Sequence, residues 1–230
     1  MSKKSSPYCA KCPTFACSPQ VKVDEPLDMS AAPNFCPMEV TPEVMEKAMA
    51  EYDKPEVKEF ARLASLQEAE CFEKLPEGRR TKNPRIVELI EFSRKLGYQR
   101  LGLAFCGGLS YEAKLLTEIL EASRFEVISA RCKTGGVIKE TIGIKPEQKI
   151  GAPDSREPMC NPIAQAEILN NAQVDLAIMM GLCIGHDVLF IRYCKVPLTV
   201  FAVKDRVTGH NPLAPLYTSN SYYARLKAGI

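Results

Sequence analysis

The sequence predicts an α/β protein: a doubly wound, mostly parallel sheet of four or more strands, with a helical middle segment and a cysteine-rich, metal-stapled amino-terminal segment. Three observations predict it. From residue 99 onward, short apolar or β-branched runs alternate with helical stretches, the pattern of buried parallel strands covered on both faces. Residues 41–98 carry apolar residues at helical spacing instead. Residues 1–40 show little periodicity, are rich in proline, and hold four of the ten cysteines. The expected organisation is therefore a metal-binding segment at 1–40, a helical segment at 41–98 packing on the core, and an α/β domain at 99–230.

The elements follow in order. Thr41 is placed to cap a helix whose Val44, Met45, Ala48, Met49 and Tyr52 share one face, and a second helix is expected from about residue 55 to 75. In the third, Asn83 reads as the N-cap and Pro84 as the first helical residue. Ile86, Leu89, Ile90 and Leu96 give its stripe, and Gly97 closes it. Strands are expected at 100–105, 125–131, 175–181 and 198–203. Helices are expected between them at about 110–123, 162–172 and 187–194, with another beginning near Asn211.

Composition narrows the function. The 230 residues are 46% hydrophobic and 25% charged, with a formal net charge of +2. That is enough apolar material for a real core, and the balance favours neither disorder nor a nucleic-acid surface. Met1 to Tyr8 is polar and basic and lacks the apolar stretch of a secretory signal. The longest apolar run, 176–184, is far short of the ~20 residues that span a membrane. A cytoplasmic protein without nucleic-acid or membrane partners is expected. In a reducing compartment closely spaced cysteines read as metal ligands or redox thiols rather than disulfides.

The cysteines fall into two constellations. Cys9, Cys12 and Cys17 form a C-x2-C-x4-C run, followed by Cys36-Pro37. A segment too poor in apolar residues to make a core needs a staple, and four thiolates on one metal centre supply it. The spacing is nearer to iron–sulfur ligation than to the two short-spaced pairs of structural zinc, which stays the alternative. The second set emerges from the strands. Cys106, Cys132 and Cys183 each follow a strand, and Cys160 precedes the Asn161-Pro162 helix start. In an open α/β sheet these places share the carboxyl edge, where ligands bind. A second centre, a [4Fe–4S] cluster, is expected there. Cys71 and Cys194 have no partner at ligand spacing and read as core.

Other polar candidates lie around that edge. His186 opens the helix after Cys183, beside an Asp187 that can cap it, and Lys204, Asp205 and Arg206 follow the fourth strand. His186, Lys204 and Asp205 are the candidates for moving protons or holding substrate. His210 is left unassigned, and Asn211 reads as a cap. The connection from Lys133 to Met159 is long enough to be a lid. No dinucleotide fingerprint, P-loop, H-E-x-x-H or G-x-S-x-G motif occurs.

The motifs Met159-Cys160-Asn161-Pro162-Ile163-Ala164-Gln165-Ala166-Glu167, Gly181-Leu182-Cys183-Ile184-Gly185-His186-Asp187 and Val203-Lys204-Asp205-Arg206 carry a resemblance. The chain resembles, from Cys9 to about Tyr223, an uncharacterised family of cysteine-containing proteins of anaerobic bacteria and archaea classed as metal-binding. The resemblance implies metal and an anaerobic setting but no reaction. The expected function is an iron–sulfur protein with one or two [4Fe–4S] clusters, acting in redox or sulfur-handling chemistry, as carrier or as enzyme. Its partners would be a redox protein or a small sulfur-containing or anionic substrate. The rival expectations are a zinc-stabilised module that binds a small ligand without turnover, and thiol redox chemistry at Cys9 and Cys12 alone.

Overall fold

A computed structural model describes residues 6–18 and 21–229. Most of Met1 to Tyr8, the stretch read above as polar and basic, lies outside them. The chain divides into two units, Met1–Leu66 and Gln67–Ile230.

The helices in chain order are α1 (Pro37–Val40), α2 (Pro42–Tyr52), α3 (Pro55–Glu70), α4 (Arg85–Lys95), α5 (Ser110–Ala122), α6 (Pro162–Asn171), α7 (His186–Tyr193) and α8 (Ala214–Tyr217). The strands are β1 (Phe72–Leu75), β2 (Gly78–Thr81), β3 (Arg100–Phe105), β4 (Glu126–Arg131), β5 (Leu176–Met180) and β6 (Leu198–Ala202).

In the first unit, Pro42 takes the first helical position of α2 behind Thr41. The Thr41 hydroxyl donates to the Pro37 carbonyl rather than accepting from the helix it precedes. Val44, Met45, Met49 and Tyr52 are exposed.

In the second unit, β3 to β6 form one parallel sheet in the order β4-β3-β5-β6. Leu101 and Leu103 of β3, with Leu176 and Ile178 of β5, meet Leu89 of α4 and Leu116 and Leu120 of α5 on one face. Ala104, Ala177 and Met179 meet Ala166 and Leu169 of α6 and Phe190 of α7 on the other. Every residue of β5 is buried, which explains why that strand reads as an unbroken apolar run. The fold is the expected doubly wound arrangement. Its chain leaves β3 towards β4 and then returns across to β5, so the crevice between the carboxyl ends of β3 and β5 is the switch point where such folds take ligands.

The sequence reading needs two corrections. The helix expected to run to residue 75 ends at Glu70, and β1 pairs antiparallel with β2 instead. The turn residues Pro76 and Glu77 separate the two runs, and charged side chains mask their alternation. The N-cap of α4 is Pro84, while Asn83 donates its amide to Glu91 at 2.9 Å.

Candidate thiol sites

The amino-terminal quartet comes together through one backbone and one side-chain tie. The Tyr8 amide donates to the Phe35 carbonyl at 3.3 Å, and the Thr14 hydroxyl to the Ala31 carbonyl at 3.0 Å. The stretch from Cys9 to Cys17 is thereby laid along residues 31–38. Cys9, Cys12, Cys17 and Cys36 all line one cavity of about 110 Å³, walled also by Phe15, Phe35 and Met38. Cys36 is buried, and Cys12 accepts a hydrogen bond from the Phe15 amide at 3.4 Å. Bonds from Thr14 and Phe15 hold the Cys12 thiol below its ordinary pKa, as amide donors do for any sulfur that must carry negative charge.

At the carboxyl edge of the sheet, the long connection from Lys133 to Met159 is closed at its neck. The Asn161 amide donates to the Cys132 carbonyl at 2.7 Å, and the Met159 amide to the Val137 carbonyl at 2.7 Å. Cys132 and Cys160, one at each root of this loop, are side by side as a result. Cys132 lies next to Cys160 and also to Cys106, the residue after β3, near enough to shift both thiols. It accepts a hydrogen bond from the Gly107 amide at 3.2 Å. Three thiols thus form one chain with Cys132 in the middle.

The chain polarises its ends. The neighbouring Cys132, then burial, pushes Cys106 up to about 12. Cys132 brings Cys160 down to about 6 against the effect of burial, with help from the Lys133 charge. Cys183, on the loop after β5, exerts an electrostatic effect on Cys160 and accepts a hydrogen bond from Arg206 at 2.9 Å. The structure therefore brings all four predicted strand-edge cysteines to one neighbourhood.

Of the other candidates, His186 stands at the start of α7 with its Nδ1 buried and unpartnered among the described residues. Burial, then Lys133, lowers its pKa. Lys204 lies beside Cys106: the point where a Cβ would sit on Gly108 is 3.4 Å from its Nζ and 3.9 Å from the Cys106 sulfur. The Asp205 carboxylate is turned to its own loop, accepting from the Val207 and Thr208 amides at 2.9 and 3.0 Å. Asp187 likewise accepts from Gly185 and Val188. His210 accepts from the Asp205 amide and closes the same turn. Cys71 is buried and donates to the Gln67 carbonyl, while Cys194 packs against the α6–α7 side of the core.

Two residues escaped the sequence reading, and a third, Arg206, was read at this edge without its partner. Gln165, fully buried on α6, donates from Nε2 to the carbonyls of Phe105 and Ala130 at 3.1 and 2.7 Å, clamping the ends of β3 and β4 below the thiols. Arg131 ends β4 with its guanidinium against Gly107. Arg206 is the partner of Cys183. A buried glutamine four residues after an N-cap asparagine was the one local signal. The two arginines act across loops that the sequence leaves far apart.

Both thiol sets are chemically suited to soft metal: sulfur donors, amide hydrogen bonds to sulfur, and cations nearby. Among the described residues no three Cys, His, Asp or Glu side chains stand as a ready holder for a metal ion.

Fold and edge together define a doubly wound α/β protein with a cysteine cluster at its switch point. The chain belongs to the family described as "Protein of unknown function (DUF1847)", whose model matches residues 36–201. That span takes in Cys36 and the whole strand-edge quartet. The chain is 42% identical over 183 residues to the "Uncharacterized protein MJ0455" of Methanocaldococcus jannaschii, covering 80% of this chain and 87% of that protein. No solved structure matches. No helix among the described residues is long and apolar enough to cross a membrane.

Proposed function

We propose that the protein is an iron–sulfur protein of the cytoplasm of an anaerobe, with one cluster held by Cys9, Cys12, Cys17 and Cys36 and a second, a [4Fe–4S] cluster, held by Cys106, Cys132, Cys160 and Cys183. The observation that carries the reading is the position of Cys132, beside Cys106 on one side and Cys160 on the other at the switch point of the sheet. Bound there, a cluster would supply electron transfer or, with one iron free of cysteine, Lewis-acid and sulfide-holding capacity.

The chain's own residues complete the environment. The Gly107 amide on Cys132 and the Arg206 guanidinium on Cys183 stabilise negative sulfur and so favour metal-bound thiolate. His186, with a free buried nitrogen, and Lys204 are the groups beside the thiols that can hold or pass a proton. Asp205 shapes the loop that carries Arg206. The partner is a redox protein or a small sulfur compound.

Purification without oxygen tests this. A brown protein with broad visible absorption and acid-labile sulfide matching its iron is the expected result. A colourless protein with stoichiometric zinc and no sulfide would overturn it in favour of a zinc-stapled binding module.

A further inference from the structure

We infer that the strand-edge site receives a small oxyanion, gripped by Arg131 and Lys204 on the Gly107–Gly108 turn. The inference deepens the functional reading above and rests on it for taking the edge as the working site.

The two cations are placed by two consecutive glycines. A Cβ on Gly107 would lie 2.8 Å from Nε and 2.9 Å from Nη2 of Arg131, so the guanidinium occupies the space that any other residue would fill. On Gly108 the same point lies 3.4 Å from the Lys204 ammonium. One turn thus carries a planar fork and a point charge next to Cys106.

Neither charge is answered by the protein. Among the described residues, Arg131, Lys133, Lys204 and Arg206 make no ion pair. The nearby acids are engaged elsewhere: Asp187 and Asp205 with backbone amides, Glu157 with Lys139. Arg206 is spent on Cys183 and Lys133 on the Pro158 carbonyl. The side chains of Arg131 and Lys204 have no hydrogen-bond partner among the described residues. Four thiolates around a [4Fe–4S] core make a dianion, which offsets only part of four positive charges. Arg131 is exposed and Lys204 half-buried, so the pair is open to an incoming anion; unanswered positive charge at one edge raises the local anion concentration, and a guanidinium and an ammonium on one turn fit the oxygens of a small oxyanion.

The test is calorimetric titration of the full-length protein under anaerobic conditions with thiosulfate and with phosphate, at low and at high chloride. Binding of one oxyanion per chain is expected. Arg131→Gln and Lys204→Gln should each weaken it about tenfold or more, and Gly107→Ala should weaken it comparably while changing no charge. Lys58→Gln, on exposed α3, should change nothing. Binding that is absent, or equal in wild type, Arg131→Gln and Lys204→Gln, overturns the inference; these two variants decide it even if Gly107→Ala does not fold. Iron and sulfide content of the same samples separates the two readings. Clusters without oxyanion binding overturn this inference alone, and oxyanion binding without iron overturns the functional reading alone.

Discussion

Arg206 Nη2 donates to Cys183 Sγ across 2.9 Å, which makes the guanidinium the charge closest to the one edge cysteine on the β5 side. Hydrogen bonds and positive charge at a ligating sulfur raise a cluster's reduction potential. Arg206→Gln is expected to move the potential of the second cluster to more negative values and leave that of the first unchanged, as read by an anaerobic redox titration. Equal shifts in both clusters, or none, would count against Cys183 as a ligand.

The thiol chain sets an order of reactivity in metal-free protein. Cys160, at about 6, is thiolate at neutral pH, and Cys106, at about 12, is not. Iodoacetamide should therefore label Cys160 before Cys106. The rate at Cys160 should fall about tenfold for each pH unit below 6. Cys132→Ala should move that midpoint upward, towards the ordinary thiol value of 9.0. Peptide mass mapping of the labelled sites against pH provides the check.

Gln165 has no access to water and ties two strand ends together. Gln165→Leu removes two side-chain bonds to carbonyls at the strand ends, of which Phe105 keeps the Cys132 amide, and should destabilise the second unit by about 1 kcal/mol. In urea this appears as a lower midpoint with an unchanged slope.

The long connection depends on Glu157. Amides of Gly151 and Ile150 and the Lys139 ammonium hold its carboxyl at about 2, below the usual 4.5. A depressed carboxyl stabilises fully above its unfolded value, and that contribution is lost as pH falls through the folded one. Hydrogen-exchange protection at Ile150 and Gly151 should thus be intact above about pH 4.5 and fade towards pH 2. Glu157→Gln should show weak protection throughout.

Changing Cys9, Cys12, Cys17 and Cys36 together to serine should remove about half of the iron, each quartet being assigned one cluster. Changing Cys71 and Cys194 to alanine should remove none. Iron and sulfide per chain measure both.

The sheet was legible in the sequence because its central strands β3 and β5 are buried on both faces and so announce themselves as apolar runs; β3 falls where it was read, and the others differ by a residue or two at their ends. Asn161 was legible for a similar reason, since the cap it makes to Ala164 is a local contact. The hairpin of β1 and β2 was not, because Glu73, Lys74, Arg79 and Arg80 lie exposed along it and leave no apolar alternation to read. Strand ends gave the neighbourhood of Cys106, Cys132 and Cys183. What they could not give is which side chains meet there: Arg131 on Gly107 and Arg206 on Cys183 are joined through the fold, not through spacing.

The loop from Lys133 to Met159 is knotted at its neck by the bonds Asn161–Cys132 and Met159–Val137, and the paired thiols sit at that neck rather than at the tip. The distance between Cys132 and Cys160 is therefore independent of how many residues the excursion contains. Lengthening, shortening or rewriting residues 143–155 therefore leaves the pairing of the two thiols in place. The thiols are held by the neck and not by the excursion, which leaves the excursion free to diversify by insertion and deletion.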